Sequence, residues 1–260
     1  MTFAIPGIFA NGARGAVSLT YDDALDAHLD VVIPQLESFG LRGTFYIPTR
    51  APMAEAWRAR PNDWRAAAAR GHEIANHTQY HPCSIAHDWV KPNFSLEAYS
   101  LARMEPELVG ATNEIRKVTG VDRVPSFAYP CCEEFVGPER TSYRPMVNRL
   151  FPAARGGAKR ELADPFACDL AFVPAWAIHE KTQLADAKGF IDEAIDRGHW
   201  AVLIFHGVGG GHAISVSAQF HVELCDHIVS RKSDLWCDTF LNVVTRVRES
   251  TNRPWVPNTR

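Results

Sequence analysis

The sequence predicts an α/β fold in which helices cover a mostly parallel sheet or barrel. Apolar, strand-like runs alternate with helix-like stretches from residue 16 onward, a pattern typical of parallel sheets. The chain has 260 residues, of which 46% are hydrophobic and 22% charged, as in ordinary globular proteins. This length fits one large domain more easily than two small ones, so we expect a single domain over residues 1–260.

The first half of the chain is predicted to alternate strands with helices. The predicted strands are 16–21, 43–47 and 72–75, and the predicted helices are 26–39 and 64–70. Apolar residues recur at helical spacing in the first helix, and Gly40 follows it as a C-cap. Gly71 ends the second helix in the same way. Pro34 either kinks the first helix or marks a new start within it.

The second half of the chain is less regular. Residues 82–95 are expected to form a surface excursion, and the elements predicted after it are a helix at about 95–119, short strands at 127–129 and 152–155, a helix at 186–197, a strand at 200–205 and a last helix at 219–231. In folds of this class, chemistry gathers at the C-terminal ends of the strands. The residues that follow each strand are therefore the candidates for a functional site.

Two adjacent aspartates, Asp22 and Asp23, follow the first predicted strand. Adjacent carboxylates can turn different ways, one toward a metal ion and the other toward a water molecule. Aspartate is also favoured at a helix N-cap and in the first helical turn. By itself, the pair indicates either a catalytic centre or the start of a helix.

Two histidines four residues apart, His77 and His81, follow the third predicted strand. They share one face if the segment is helical, and a tight turn can also bring them together. Two imidazoles and one carboxylate form a common zinc-binding set that leaves an open position for water. The same spacing also arises by chance in a chain with eleven histidines.

A third histidine, His206, ends the most hydrophobic predicted strand, and a glycine-rich loop at 207–211 follows it. A histidine at the mouth of a buried strand suits an acid–base role, because its pKa can be tuned near neutrality. The alternative is a hydrogen-bonded structural histidine.

Together, these motifs resemble those of the polysaccharide deacetylase family, also called carbohydrate esterase family four. Thr20-Tyr21-Asp22-Asp23 matches the family's first motif, Thr-Phe-Asp-Asp. The segment from His77 to His81 matches its second motif, His-Ser/Thr-x-x-His. Ile204-Phe205-His206 is a looser match to its Leu-x-His strand end. The resemblance spans about residues 16–245.

The resemblance implies a distorted (β/α) barrel with about seven parallel strands. Asp23, His77 and His81 would bind a divalent metal, zinc first, with cobalt, nickel or manganese as alternatives. The metal would lower the pKa of its water and polarise the acetyl carbonyl. Asp22 would be the general base, and His206 would protonate the leaving group.

The family's third motif, Arg-x-Pro-Tyr, is altered in this sequence. Ala128 stands where the arginine is expected, and Cys131 stands where the tyrosine is expected. The backbone N–H at Cys131 can still serve the oxyanion, with Tyr129 beside it. Arg155, after the next predicted strand, is a candidate to reach Asp22 in place of the missing arginine, although an arginine at such a position is more often a surface residue.

The fourth motif, Asp-x-x-Asp-Trp, has no clean match. Asp169 and Trp176 lie in the corresponding region at the wrong spacing, and Trp176 is expected either to line the substrate cleft or to belong to the core. The remaining histidines, His212 among them, have no motif support and are interpreted as structural. Three further tryptophans are candidates for stacking on sugar rings or for the core: Trp57, Trp64 and Trp89.

Charge and composition narrow the possible partners. The formal net charge of −3 does not indicate a basic surface for nucleic acid. The sequence contains no run of eighteen apolar residues, so it predicts no membrane span. Residues 1–7 lack the pattern of a signal peptide, which leaves a cytoplasmic protein or a secreted one whose leader has been removed. The six cysteines include no CxxC pair, and we expect mostly buried free thiols rather than disulfides.

The leading hypothesis is a hydrolase that acts on an acetylated oligo- or polysaccharide, with glycans containing N-acetylglucosamine favoured. An acetylxylan-type O-acetyl esterase and a small-molecule amidohydrolase are alternatives. A hypothesis from another functional class is a relative of these enzymes that binds glycans without catalysis. The lost arginine favours that relative, whereas the intact motif residues oppose it, namely Asp22, Asp23, His77 and His81.

Overall fold

The computed structural model describes residues 7–50 and 54–256. Residues 1–6, on which the signal-peptide question depends, lie outside the described residues, as do residues 51–53 and 257–260.

A parallel sheet forms the centre of the fold. The strands of the described residues are β1 (Gly15–Asp22), β2 (Thr44–Ile47), β3 (Glu73–Asn76), β4 (Phe127–Ala128), β5 (Phe135–Val136), β6 (Thr141–Ser142), β7 (Ala154–Arg155), β8 (Trp176–Ala177), β9 (Trp200–Phe205), β10 (Gly207–Val208), β11 (Ser215–Val216) and β12 (Leu235–Cys237). Seven of them run parallel in the order β7-β4-β3-β2-β1-β9-β8 and curl into a half-barrel, and β12 pairs with the beginning of β1. The predicted distorted (β/α) barrel with about seven parallel strands is confirmed.

Helices surround this sheet. They are α1 (Ile33–Ser38), α2 (Glu55–Ala59), α3 (Pro61–Ala69), α4 (Leu101–Thr119), α5 (Arg144–Leu150), α6 (Leu184–Arg197), α7 (Ala218–Ser230) and α8 (Phe240–Ser250). A π-helical turn at His28–Val32 precedes α1. None of the helices in the described part of the chain has the length and apolarity to cross a membrane.

Most predicted elements are present, with boundaries shifted by a few residues. The predicted helix 26–39 divides into the π-helical turn and α1, and Pro34 lies in the first turn of α1, where proline is tolerated. The predicted helix at 95–119 begins only at Leu101. The prediction of α7 as the last helix is wrong, because α8 follows it. The hydroxyl of Thr239 accepts a hydrogen bond from the Asn242 N–H and caps α8, a signal that the sequence contains.

Side chains along β1 alternate between two apolar clusters. Val17, Leu19 and Tyr21 face the first, which contains residues of α1 and α6, whereas Ala16 faces the second, which contains residues of α8. Asp22 lies at an even position, on the same face as Ala16, where β1 ends. Trp57 and Trp64 are buried in the first cluster, so they belong to the core.

Glu73 joins three parts of the fold through a buried carboxylate. Its Oε1 accepts hydrogen bonds from the N–H and the hydroxyl of Ser126, at 3.0 and 2.7 Å. Its Oε2 accepts from the Thr44 hydroxyl at 2.9 Å and from the Leu241 N–H at 2.9 Å. These four donors connect β2, the segment before β4 and the start of α8 to β3.

We expect Glu73→Gln to destabilise the protein by about 1–3 kcal/mol, because the amide NH₂ would face donors that need an acceptor. Urea unfolding followed by circular dichroism measures the change. Glu180→Gln, at an exposed side chain, is the control and should stay within about 0.5 kcal/mol. Equal stability of the two variants would contradict the role assigned to Glu73.

Candidate active site

A cavity of about 650 Å³ opens at the C-terminal edge of the sheet. Its walls include Asp22 and Asp23 from the end of β1, His77 and His81 after β3, and His206 after β9. These strands are not consecutive in the chain, but they are parallel, so their C-terminal ends meet at one edge. The structure thus brings together the five residues that the sequence motifs single out.

Left-handed backbone conformations shape both motif turns. Asp23 and Ala24 have φ values of 78° and 52°, so the chain turns sharply where β1 ends. In the second turn, the Asn76 side chain accepts a hydrogen bond from the Thr78 N–H, and the Thr78 hydroxyl accepts one from the His81 N–H. Such strained residues cluster at functional sites. The histidines are therefore brought together by a tight turn rather than a helix.

Asp23, His77 and His81 form a cluster suited to a metal ion. The Asp23 Oδ1 lies 3.3 Å from the His81 Nε2 and 4.0 Å from the His77 Nε2. Their ligand atoms all lie within 4.8 Å of one another, and Asp23 Oδ1 is buried without a hydrogen-bond partner among the described residues. A buried carboxylate oxygen without a donor is costly, and a cation would relieve that cost. The cluster therefore fits a divalent ion.

A hydrogen bond on the far side of the His77 ring orients it for ligation. The His77 Nδ1 lies 2.8 Å from the carbonyl oxygen of Ala128, which can only accept, so Nδ1 carries the proton. The Nε2 lone pair then faces Asp23, the arrangement usual for metal-binding histidines. Burial also lowers the pKa of His77 to about 4, which keeps the ring neutral.

Arg155 and Asp22 form a buried ion pair. The Arg155 Nη1 donates to Asp22 Oδ1 at 2.8 Å, and its Nη2 donates to Oδ2 at 2.6 Å. Nη1 also donates to the Thr20 hydroxyl at 2.9 Å. The guanidinium lies over the ring of Tyr46, 4.8 Å from its centroid. Arg155 is 1% exposed, so it is not the surface arginine of the alternative interpretation.

This ion pair fixes the ionisation of Asp22. Burial alone would raise the pKa of the carboxyl group, but the charge of Arg155, aided by His77, outweighs that effect and holds the pKa well below its usual range. The Asp23 pKa is also lowered, because neighbouring histidines, His81 first, outweigh its burial. Both carboxylates are therefore ionised at neutral pH.

His206 lies beside the other carboxylate oxygen of Asp23. Its Nε2 lies 3.9 Å from the Asp23 Oδ2, and burial lowers its pKa. Its Nδ1 is buried and finds no hydrogen-bond partner in the described part of the chain. The ring instead stacks on that of His212, with centroids 4.8 Å apart.

His212 belongs to the cavity, which corrects its interpretation as a structural histidine. Its Nε2 lies 3.8 Å from the Asp23 Oδ2, nearly the same distance as that of His206. Glycines at 209–211, all with positive φ, turn the chain back over the site and place His212 there. The only sequence signal was this glycine-rich loop after β9, because no motif marks the histidine itself.

A disulfide links Cys83 to Cys131 across the cavity wall, so the expectation of free thiols is wrong for these two cysteines. Their Cα atoms lie 5.9 Å apart although they are separated by 48 positions in the chain. Cys83 follows the turn after β3 and Cys131 follows β4, so their proximity depends on the packing of the two strands, and the sequence could not reveal it. Cys132 stays a thiol, and burial raises its pKa to about 11.

The remaining candidates lie around the cavity or outside it. Tyr129 borders the cavity, but its side chain is buried in a separate apolar cluster, and its hydroxyl donates to the Ala171 carbonyl at 2.9 Å. Trp176 packs against Phe190 on the helix-covered face of β8, and its neighbour Ala177 lines the cavity instead. Trp89 is 55% exposed at the rim, with its ring 5.9 Å from that of His81.

Comparison with known proteins bears on the resemblance that the motifs indicate. Residues 10–134, which include β1 to β4 and both turns, match the family model described as polysaccharide deacetylase. The resemblance to polysaccharide deacetylases is confirmed. The chain is therefore related to hydrolases that act on acetyl groups. A search of curated proteins gave no significant match.

Several solved deacetylase structures share the fold. A proposed polysaccharide deacetylase from Mycobacterium smegmatis has a TM-score of 0.64 at 16% identity and covers 100% of this chain and 98% of its own. A family 4 acetyl xylan esterase from Clostridium thermocellum, in complex with a cobalt ion, has a TM-score of 0.53 at 17% identity, with 88% and 90% covered. A mutant peptidoglycan deacetylase from Bacillus subtilis has a TM-score of 0.51 at 14% identity, with 92% and 95% covered.

Two departures from the polysaccharide deacetylase motifs have structural counterparts. The arginine missing at Ala128 is matched by Arg155, which comes from the neighbouring strand β7 and pairs with Asp22. The fourth motif, which would orient the last histidine, is missing, and the Nδ1 of His206 has no hydrogen-bond partner among the described residues. Arg155 thus takes the place of the missing arginine. For the missing fourth motif the described residues offer no such replacement, and the His206 ring is supported by stacking on His212.

Arg155→Leu is expected to destabilise the protein by about 3–5 kcal/mol, because it leaves the Asp22 carboxylate buried and unpaired. The double variant Asp22→Leu/Arg155→Leu should recover a large part of that loss. Urea unfolding measures both, with Arg197→Leu on the exposed end of α6 as the control. If Arg155→Leu were no more destabilising than this control, the ion pair would not hold the site together.

The metal-free protein is expected to lose stability as the pH falls from about 6.5 to about 4. Burial lowers the pKa of four histidines to about 4: His28, His72, His77 and His221. In the unfolded chain they titrate near 6.5, so between these two values the unfolded state binds more protons than the folded state. The free energy of unfolding therefore decreases as the pH is lowered. Urea unfolding at pH 7 and pH 5 tests this; equal values would refute it, and His221→Gln should have a smaller pH dependence.

Proposed function

We propose that the protein is a metal-dependent hydrolase that removes acetyl groups from a carbohydrate, with N-acetylglucosamine-containing glycans as the favoured class. The observation that carries this proposal is the buried charge arrangement at the end of β1. Arg155 holds the Asp22 carboxylate, while the Oδ1 of Asp23, which has no hydrogen-bond partner within residues 7–50 and 54–256, faces His77 and His81. The family match supports the same chemistry.

Asp23, His77 and His81 are the residues that would hold a divalent cation. Such an ion, when bound, supplies a Lewis acid for the acyl carbonyl and lowers the pKa of a water molecule. One carboxylate oxygen and two imidazole nitrogens form a donor set that suits zinc and leaves an open position. Cobalt, nickel and manganese are alternatives, since the same donor types also bind them.

Asp22 is assigned the role of general base. The Arg155 guanidinium keeps its carboxylate ionised and fixed in position, and each carboxylate oxygen has a second lone pair for a water molecule. His206, on the opposite side of Asp23, is assigned the transfer of a proton to the leaving amine or alcohol. The segment at Cys131, in the cavity wall, is assigned to the oxyanion.

A small-molecule amidohydrolase is the second candidate, and the cavity lining favours it. Apart from its aspartates and histidines, the lining is largely apolar and includes Trp89, Ala158, Ala177, Ile204, Ala213 and Ile214. A sugar presents several hydroxyl groups, and each one that is buried without a partner costs free energy. A compact amide or ester with an apolar body loses less on entering such a cavity.

Acetate release from a substrate panel, measured with zinc-loaded and chelator-treated protein, tests the proposal. The panel contains chitotetraose, acetylated xylan and 4-nitroacetanilide. We expect release only with metal and a loss of at least about 10²-fold in kcat for Asp22→Asn, because the general base is removed. Asp30→Asn, at an exposed carboxylate paired with Arg60, is the matched control and should retain activity.

Zinc binding by calorimetry separates the possible failures. His81→Ala should weaken zinc binding by more than about tenfold, since one of three ligands is lost. Acetate release only from 4-nitroacetanilide would select the small-molecule candidate. Tight zinc binding without acetate release from any member of the panel would refute the deacetylase proposal, and chitotetraose binding under those conditions would indicate a glycan-binding relative.

A further inference from the structure

His28 connects the chain after the Asp22–Asp23 turn to the chain at His206, although it does not line the cavity. It is fully buried and begins the π-helical turn that follows the Asp22–Asp23 turn. Its Nε2 lies 2.8 Å from the backbone carbonyl oxygen of His206, and its Nδ1 lies 3.3 Å from the Leu25 N–H. One imidazole therefore contacts both the chain after Asp23 and the chain at His206.

The two contacts of His28 require the same tautomer. The His206 carbonyl can only accept a hydrogen bond, so Nε2 must carry the proton. The Leu25 N–H can only donate, so Nδ1 must be unprotonated. Both conditions describe one neutral imidazole, and burial keeps His28 in that form. The ring thus works as a fixed spacer with a donor at one end and an acceptor at the other.

Packing around His28 gives it a single position. Its ring lies edge-on to Tyr21, with centroids 5.7 Å apart, and the Phe45 ring lies at the same distance. The glycine-rich loop also rests on this turn, because a Cβ added at Gly211 would meet the Ala27 Cβ at 3.4 Å. π-Helical turns of this kind occur frequently at functional sites.

We propose that His28 is a positioning residue, which sets the place of the His206 ring relative to the Asp22–Asp23 pair by holding the His206 backbone carbonyl. The inference rests on the proposed hydrolase function. A displacement of about 1 Å in a catalytic group can cost about 10²-fold in rate. Since Nδ1 of His206 has no partner in the described residues, the ring depends on its backbone and on its stacking with His212 for its orientation.

Two substitutions separate the contacts of His28. In His28→Gln, the side-chain amide retains a donor near the position of Nε2, whereas in His28→Asn the shorter amide retains an acceptor near Nδ1 and loses the contact to His206. We expect the Asn variant to lose about 10²-fold in kcat, with KM and the zinc Kd changed by less than about twofold. The Gln variant should recover at least about tenfold of that loss.

His221→Gln is the matched control for a structural effect. His221 is also fully buried, and its ring lies 2.7 Å from both the Tyr21 hydroxyl and the Gln35 side chain. We expect it to lower stability without lowering kcat on chitotetraose or 4-nitroacetanilide, whichever is hydrolysed. An equal loss of kcat in His28→Asn and His221→Gln, or a recovery by Asn rather than Gln, would overturn the proposal.

A readout that does not depend on activity distinguishes this inference from the proposed function. The imidazole Cε1–H resonance of His206, assigned by its loss in His206→Gln, reports the position of the ring in the zinc-loaded protein. We expect it to shift in His28→Asn and to stay near the wild-type position in His28→Gln. If the wild-type protein releases no acetate, the proposed function fails, while an unshifted resonance in His28→Asn overturns the role of His28.

Discussion

The buried pair of Asp22 and Arg155 is the interaction on which the rest of the site depends. Two charges removed from water need each other and further hydrogen-bond partners, or the fold loses several kcal/mol, of order 3–5 for a broken pair. Arg155 is matched in two parallel hydrogen bonds and by the Thr20 hydroxyl. Because β1 and β7 are not neighbours in the sheet, this pair spans the interior of the half-barrel and ties its two sides together.

Asp23 organises the other half of the site. Its two oxygens face four imidazoles, with Oδ1 toward His77 and His81 and Oδ2 toward His206 and His212. Burial lowers the pKa of His77, so the lone pair of this ring is available to a cation rather than to a proton. The proposed metal position therefore lies at one oxygen of Asp23, and the proposed proton donor, His206, lies at the other.

The sequence predicted the strand ends and their residues because both depend on local patterns. Apolar runs that alternate with helix-like stretches predicted β1, β3 and β9. The residue types that follow these strands indicated five site residues: Asp22, Asp23, His77, His81 and His206. The helix α8 was missed, although Thr239 and the apolar residues after it carry the signal. Trp89 could not be separated from Trp57 and Trp64 by sequence, because composition does not distinguish a rim from a core.

The parallel α/β architecture and the five motif residues could be predicted from the chain alone, since side-chain periodicity and residue type are local properties. Three contacts could be seen only in the folded molecule: Arg155 pairs with Asp22, Cys83 bonds Cys131, and His212 stacks on His206. Each of these contacts joins residues whose separation in space depends on how strands and loops pack. The contact from His28 to the His206 carbonyl is of the same kind: it crosses 178 positions of sequence, and no local pattern encodes it.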